Sequence, residues 1–172
     1  DALHLLDWGG FPARREAARA RGKFAGIGVA NAIEIANGPI TGPFTESAEI
    51  RFDATGAATV LLGVHSQGQG HEITFAQIAA DFLGLDVREI RVRYGDTDQL
   101  EHGIGSFGSR SVVAGGTALK RAADVIIERG REIAAAHFEA SAADIEFEGG
   151  QFAIAGTDRR ISMREVARLS YQ

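Results

Sequence analysis

No cysteine occurs anywhere in this 172-residue chain. That excludes disulfides, thiol catalysis, thiolate zinc sites and iron–sulfur ligation from within it. A cationic excess is missing too: 18 Lys and Arg stand against 23 Asp and Glu, for a net charge of −5 and a pI near 5.5. No basic footprint therefore invites a nucleic acid or an anionic membrane surface. No apolar run approaches the roughly 20 residues that a membrane-spanning helix requires. The opening stretch, DALHLLDWGGFPARRE, has neither an initiator Met nor a cleavable signal pattern. It reads as a trimmed chain or a piece of a larger one, with the cytoplasm as default compartment. Internal repeats and low-complexity tracts are also absent.

What is present alternates between helical and extended patterns. Residues 12–21 read as a short surface helix with Pro12 in its first turn. FAGIGVANAIEIA, with Ile27, Val29, Ile33 and Ile35, suggests a long strand, and NGPITGPF a turn cluster. SAEIRFD and ATVLLGVHS flank a turn at Asp53–Gly56 and predict an antiparallel hairpin. A helix is expected from about Gly70 to Phe82 with Gly84 as a left-handed cap. VREIRVRYGD reads as a strand and Val112–His137 as a long helix with Ala118, Ala122, Val125, Arg129 and Ile133 in register. ADIEFEGGQFAIAG predicts a hairpin around Gly149-Gly150, and Ser162 with Glu165 has capping-box spacing for a last helix. Paired strands interrupted by helices give an α+β class, with a mixed or antiparallel sheet and two main helices.

Two stretches use glycine where regular structure would avoid it. VHSQGQGHEIT leads from a strand into a helix through Gly68 and Gly70. A helix start offers unsatisfied N–H groups and the positive end of the dipole, and glycines let a ligand approach the main chain. Gln67 and Gln69 each add a donor and an acceptor. In that helix Ile73, Ala76, Ala80 and Leu83 form an apolar stripe widened by Phe75, Ala79 and Phe82. His71, Thr74, Gln77 and Asp81 form a polar stripe that, on a mostly buried helix, needs partners. The second stretch, GIGSFGSRS, carries Gly103, Gly105, Gly108, three hydroxyls and Arg110, and also feeds a helix. Arg110 can present a bidentate fork to a phosphate, and Ser109 or Ser111 can cap the helix.

Blander explanations stand beside these. The first loop can also be a tight turn with a helix cap and no ligand, and the second a mobile surface loop with Arg110 in a structural salt bridge. Neither matches the phosphate loop ending in Gly-Lys-Ser/Thr or the dinucleotide glycine fingerprint. His65 and His71 straddle the first loop with poor geometry for a shared metal. His102 beside Glu101 and Asp98 reads as solvated, and Asp96 with Asp98 as turn chemistry. Without further information the loops suit a free-standing module for a phosphorylated small molecule, or an assembly domain whose loops bind nothing.

Taken together, GVHSQGQGHEITFAQIAADFLGL, YGDTD and GIGSFGSRSVVAGGTAL resemble the molybdenum hydroxylases. These are the molybdopterin-binding large subunits of the xanthine dehydrogenase, aldehyde oxidase and aerobic carbon monoxide dehydrogenase group. The blocks match in order and spacing, and the resemblance covers most of the chain. It implies that residues 1–172 are one α+β segment of a larger molybdopterin-binding domain, with 1–22 a less well-matched leading extension. Gln67, Gly68, Gln69, Gly70 and His71 would form one side of the cofactor site, with Thr74 beside them. Ser106, Phe107, Gly108, Ser109, Arg110 and Ser111 would form the other. By the resemblance Gln69 stands nearest the molybdenum, with no metal ligand and no catalytic residue in this chain.

The resemblance further implies a pterin whose form it leaves open, and iron–sulfur and FAD centres on other domains or subunits; a bacterial-looking composition leans slightly to the cytosine dinucleotide. The family's Gly-Gly-Phe-Gly segment and its general-base glutamate have no counterpart here. The chain is therefore expected to be an internal fragment, inert alone, whose partners are the rest of the large subunit and the redox subunits. Apolar surface left uncovered predicts a weak homo-oligomer in isolation.

Overall fold

The computed structural model describes residues 1–36 and 45–172, so the expected turn cluster NGPITGPF lies outside the described residues. Two compact units are present, Asp1–Glu34 and Ile35–Gln172. The first holds α1 (Ala2–Leu5), a 3-10 turn at Trp8–Gly10 and α2 (Phe11–Ala20) with proline in its first turn. Asp7, at φ 46°, accepts from Gly10 N at 3.1 Å and pairs with Arg14 at 3.0 Å, which stitches the corner before α2. The strand expected over 24–36 does not form. Phe24 and Ile33 stand 98% and 96% exposed, and among the described residues no neighbour supplies the ladder that turns an extended segment into a strand.

The second unit begins with β1 (Ala48–Phe52) and β2 (Ala58–Leu62), antiparallel with Ile50 opposite Val60. Asp53 makes their turn by accepting from Thr55 N at 2.8 Å and Ala57 N at 3.2 Å. α3 (His71–Leu83) follows and stops at Gly84, whose φ of 62° is the left-handed cap the sequence predicts. It returns the chain to β3 (Ile90–Tyr94), which lies parallel to β2 with Val92 opposite Val60. Parallel neighbours need such a crossover. The order β1-β2-β3 puts the most apolar strand in the middle, where Val60, Leu62 and the following Val64 are buried.

After a long loop, one π turn (Ser111–Gly115) opens α4 (Gly116–Phe138), which packs on α3 and β1. Its buried face is Leu119, Ala123, Gly130 and Ala134, one position along from the expected register, and Val125 is exposed. β4 (Ile145–Glu148), β5 (Gln151–Ile154) and β6 (Arg160–Ser162) form a second, antiparallel sheet. Phe152 and Ile145 join this sheet to the same core as Val60, Phe75 and Leu119. The fold is α+β, with one mixed and one antiparallel sheet.

α5 (Met163–Leu169) starts with a full capping box. Ser162 Oγ accepts from Glu165 N at 3.2 Å, and Ser162 N donates to Glu165 Oε2 at 3.0 Å. Ser162→Ala should therefore cost about 1 kcal/mol, read as a lower urea midpoint at unchanged m-value. An unchanged midpoint would mean that burial of Met163 and Val166 alone holds this helix.

Candidate cofactor-binding site

Because β2 and β3 are parallel, their carboxyl ends reach the same edge of the sheet. One glycine loop leaves each end: residues 63–70 run from β2 into α3, and 95–110 from β3 toward α4. Ligands of sheets with parallel strands gather at such an edge, because the loops there converge. Here they touch. Ser106 Oγ accepts from His65 N at 3.2 Å and donates to His65 O at 2.6 Å. Ser111 Oγ donates to Ser106 Oγ at 3.0 Å. The Ser106 hydroxyl thus has its one proton and both lone pairs engaged. It fastens the loops to each other and has no capacity left for a ligand.

Glycines make this closeness possible. A Cβ at Gly103 would lie 2.6 Å from the Gly63 Cα, and one at Gly105 3.1 Å from the His65 ring. At Gly115 it would meet a Val64 methyl at 2.8 Å, so the π turn can lie directly against the end of β2.

Arg110 departs from expectation. Instead of offering a fork outward to a phosphate it is fully buried and paired with Glu46, which is buried as well. Its Nη1 also donates to Gly105 O at 2.7 Å, its Nη2 to Thr45 O at 3.4 Å, and its guanidinium lies 5.3 Å from the Phe107 ring centroid. Glu46 accepts in addition from Ser47 N at 3.2 Å and Ile104 N at 3.3 Å. The salt-bridge explanation is the one this geometry supports. Glu46 itself escaped the sequence reading: it sits just before a strand with no local pattern, and its meaning comes from a partner 64 residues away.

The outward parts of the loops are Gln67, Gly68 and Gln69 on one side and Phe107 and Ser109 on the other, all exposed. Gly68 and Gly70 have positive φ of 100° and 79°, with open space where a side chain would stand. Gln69 folds back to accept from Gln67 N and, at 3.5 Å, from Ser66 Oγ, while Gln67 Nε2 lies 3.2 Å from His65 Nε2. Gly108 and Ser109 carry φ of 55° and 50°, two left-handed residues in succession. Among the described residues no side chain caps α3.

His71 was expected on a polar stripe. It lies instead at the head of the buried stripe with Phe75, Ala79 and Leu83, its ring 5.3 Å edge-on to Phe75. Gln77 and Asp81 face solvent, Thr74 is half-buried, and Ile73, expected inside, is 68% exposed. His71 Nδ1 is buried without a hydrogen-bond partner among the described residues. Burial pushes this imidazole below its ordinary value, with Glu72 opposing and His65 adding to the shift. The neutral ring is thus the folded form. Its stabilising contribution is complete above about pH 6.5 and falls as pH drops below that value, because the unfolded chain takes up the proton first. Urea midpoints at about pH 7.5 and about pH 5.5 should drop further in wild type than in His71→Phe. Equal drops would refute this.

Tyr94 OH donates to the Glu72 carboxylate and so ties β3 to the first turn of α3. This bond holds Glu72 below and Tyr94 above their ordinary pKa ranges. Asp96 accepts from Asp98 N at 3.0 Å, as turn chemistry expects. Among the described residues no three His, Cys, Asp or Glu stand together as a metal site would require, and no helix is long and apolar enough to cross a membrane.

The residues present fit a phosphorylated, hydrogen-bonding cofactor. An uncapped helix start, two glycines with open space above them and an orphaned imidazole nitrogen lie together at the strand ends. Between those ends is a cavity of about 190 Å³ lined by Leu62, Gly63, His65, Asp96, Gly103 and Gly105. Pockets that enclose a cofactor run to roughly 300–1,000 Å³, so this cavity alone does not enclose one.

Comparison with known proteins agrees. A family model described as a molybdopterin cofactor-binding domain matches residues 1–172. The large subunit of nicotine 6-hydroxylase from Paenarthrobacter nicotinovorans is 36% identical over 99% of this chain and 22% of its own length. The large chain of carbon monoxide dehydrogenase from Hydrogenophaga pseudoflava is 35% identical, again over 99% and 22%. The crystal structure of Cu,Mo-CO dehydrogenase in its carbon monoxide reduced state superposes with a TM-score of 0.74 at 30% identity, covering 98% of this chain and 23% of that one. Quinoline 2-oxidoreductase from Pseudomonas putida 86 gives 0.69 at 35% identity, covering 98% and 22%. This chain spans under a quarter of these relatives, and by the family match over its whole length it belongs to the molybdopterin cofactor-binding domains.

Proposed function

We propose that this chain is part of the large subunit of a molybdenum hydroxylase and that its paired glycine loops form one wall of the pterin site. The observation that carries this reading is the convergence of both loops beside the uncapped start of α3, with His71 Nδ1 unpartnered there. Gly68 and Gly70 admit the ligand to the main chain, and the first-turn N–H groups of α3 take its anionic oxygens. Gln67 and Gln69 bond its polar edges, Gln69 nearest the metal. Phe107, Gly108 and Ser109 form the opposite arch, with Thr74 and Ser111 at the margins. Ser106 and Arg110 act from behind these residues by holding the arch in place.

When bound, the cofactor supplies a molybdenum centre for transfer of water-derived oxygen to an aldehyde, a nitrogen heterocycle or carbon monoxide. Iron–sulfur and flavin centres of partner domains or subunits would accept the electrons. Carbon monoxide, nicotine and quinoline all occur in the relatives' names, which supports a reading in which this segment serves the cofactor and not one substrate. The cytosine dinucleotide is the pterin form we favour, and the cytoplasm the compartment. Ile73, Phe107, Val112 and Val113 remain exposed next to the loops, which suits a surface completed by the rest of a large subunit and predicts self-association without it. Alone, one wall is inert.

Molybdenum analysis with mass spectrometry of the released pterin tests this on the intact large subunit with its partner chains. Wild type should hold stoichiometric molybdenum, and Gln67→Ala with Gln69→Ala should lose most of it with folding intact. Full occupancy in the double variant would remove the loop from the site. No molybdenum in a well-folded wild type would favour a phosphate-ligand module instead.

A further inference from the structure

We propose that Glu46 and Arg110 are positioning residues: a buried lock that sets the second glycine loop against the first and thereby shapes the cofactor wall. This rests on the reading that the two loops hold the pterin. The side chains are 1% and 0% exposed, so Arg110 presents no surface to a ligand outside the loops. Its charge is balanced by Glu46, so what the pair contributes to an anionic ligand is geometry.

The lock touches both loops. Glu46 accepts from Ile104 N in the second loop, and its carboxylate fills the space beside Gly63 in the first. A Cβ at Gly63 would lie 1.9 Å from Glu46 Oε1, so the absent side chain is what admits the acid. Arg110 closes the arch from both ends, its Nη1 on Gly105 O at 2.7 Å and its main-chain N on Phe107 O at 3.2 Å. Within that arch Gly108 and Ser109 both hold positive φ. A non-glycine residue in that region persists only where its surroundings over-determine it. A buried ion pair is poor at adding stability but its partners are costly to separate, which suits a part that sets one conformation.

Glu46→Gln keeps the shape and removes the charge. Arg110→Lys keeps the charge but cannot reach Glu46, Gly105 and Thr45 together. Both variants, in the intact large subunit with its partners, should lose most of their molybdenum. Amide exchange by mass spectrometry gives the second readout. Peptides over 104–110 should exchange faster in the variants while those of α3 and α4 keep wild-type rates.

A merely stabilising pair would raise exchange across the whole unit, which would overturn the proposal. Wild-type molybdenum content with unchanged loop exchange would also overturn it. Should Glu46→Gln fail to accumulate as folded protein, Arg110→Lys decides, and failure of both to fold would show a general structural need and no specific lock. If wild type itself holds no molybdenum, the cofactor reading falls, and the exchange pattern alone then judges the lock.

Discussion

Phe152→Ala is expected to lower stability by about 3–5 kcal/mol, measured as a fall in the urea midpoint. Its ring is fully buried, 4.7 Å from the Phe147 ring, and it fills a space on α4 that exists because residue 130 is glycine. A Cβ at Gly130 would stand 2.2 Å from the Phe152 Cζ, so ring and gap are matched. Truncation leaves a cavity between the second sheet and α4 that neither element can close without losing its other contacts. Gly130→Ala in turn overpacks the same spot, at a cost of about 1–3 kcal/mol. Combined with Phe152→Leu it should cost less than the sum of the single changes, since the two residues share one volume. Strict additivity would show that ring and gap are independent.

Gly84→Ala should cost about 2–5 kcal/mol, combining a left-handed penalty of about 1–2 kcal/mol with the overpacking beside it. The new methyl would meet Gly150 N at 2.1 Å and Gly149 C at 2.5 Å. Both are backbone of the β4–β5 turn, so no rotamer change can make room. Gly149 supplies the control. Its φ of 53° is equally left-handed, but nothing lies within 4 Å of its missing side chain. Gly149→Ala should therefore show the conformational part alone, about 1–2 kcal/mol. Equal losses at the two positions would mean that α3 and the second sheet are not held backbone to backbone as the structure has them.

What the sequence made legible is what local chemistry decides. The β1–β2 hairpin follows from alternation around an Asp turn, the end of α3 from Gly84, and the start of α5 from Ser162 and Glu165. Each signal spans a few residues and meets its partner within the same stretch. Readings that depended on distant partners went astray. Ile73 and His71 exchanged sides because α3 buries the stripe that packs on β3 and α4, and helical spacing alone permits either stripe. Ile27 to Ile35 has the pattern of a strand but, among the described residues, no ladder. The short β6 and the parallel pairing of β2 with β3 left no local trace.

The site divides in the same way. Both glycine loops were visible as loops that open helices, and their residues do converge at one edge. Which of those residues face outward could not be read. Ser and Arg are equally suited to hold a ligand or a neighbouring loop, and only the saturation of the Ser106 hydroxyl and the burial of Arg110 tell the roles apart.

The separation of Glu46 from Arg110 also sets an order of assembly during synthesis. The acid is made 64 residues before the base. At roughly 5–20 residues per second, about 3–13 seconds of translation pass between them. During that interval the hairpin, α3 and the first glycine loop can emerge, yet the carboxylate has no cation and must remain in water. The wedge between Gly63 and Gly103 therefore closes late, once α4 has begun. A nascent chain paused before residue 110 should hold its first glycine loop open to protease, and one paused well beyond it should not.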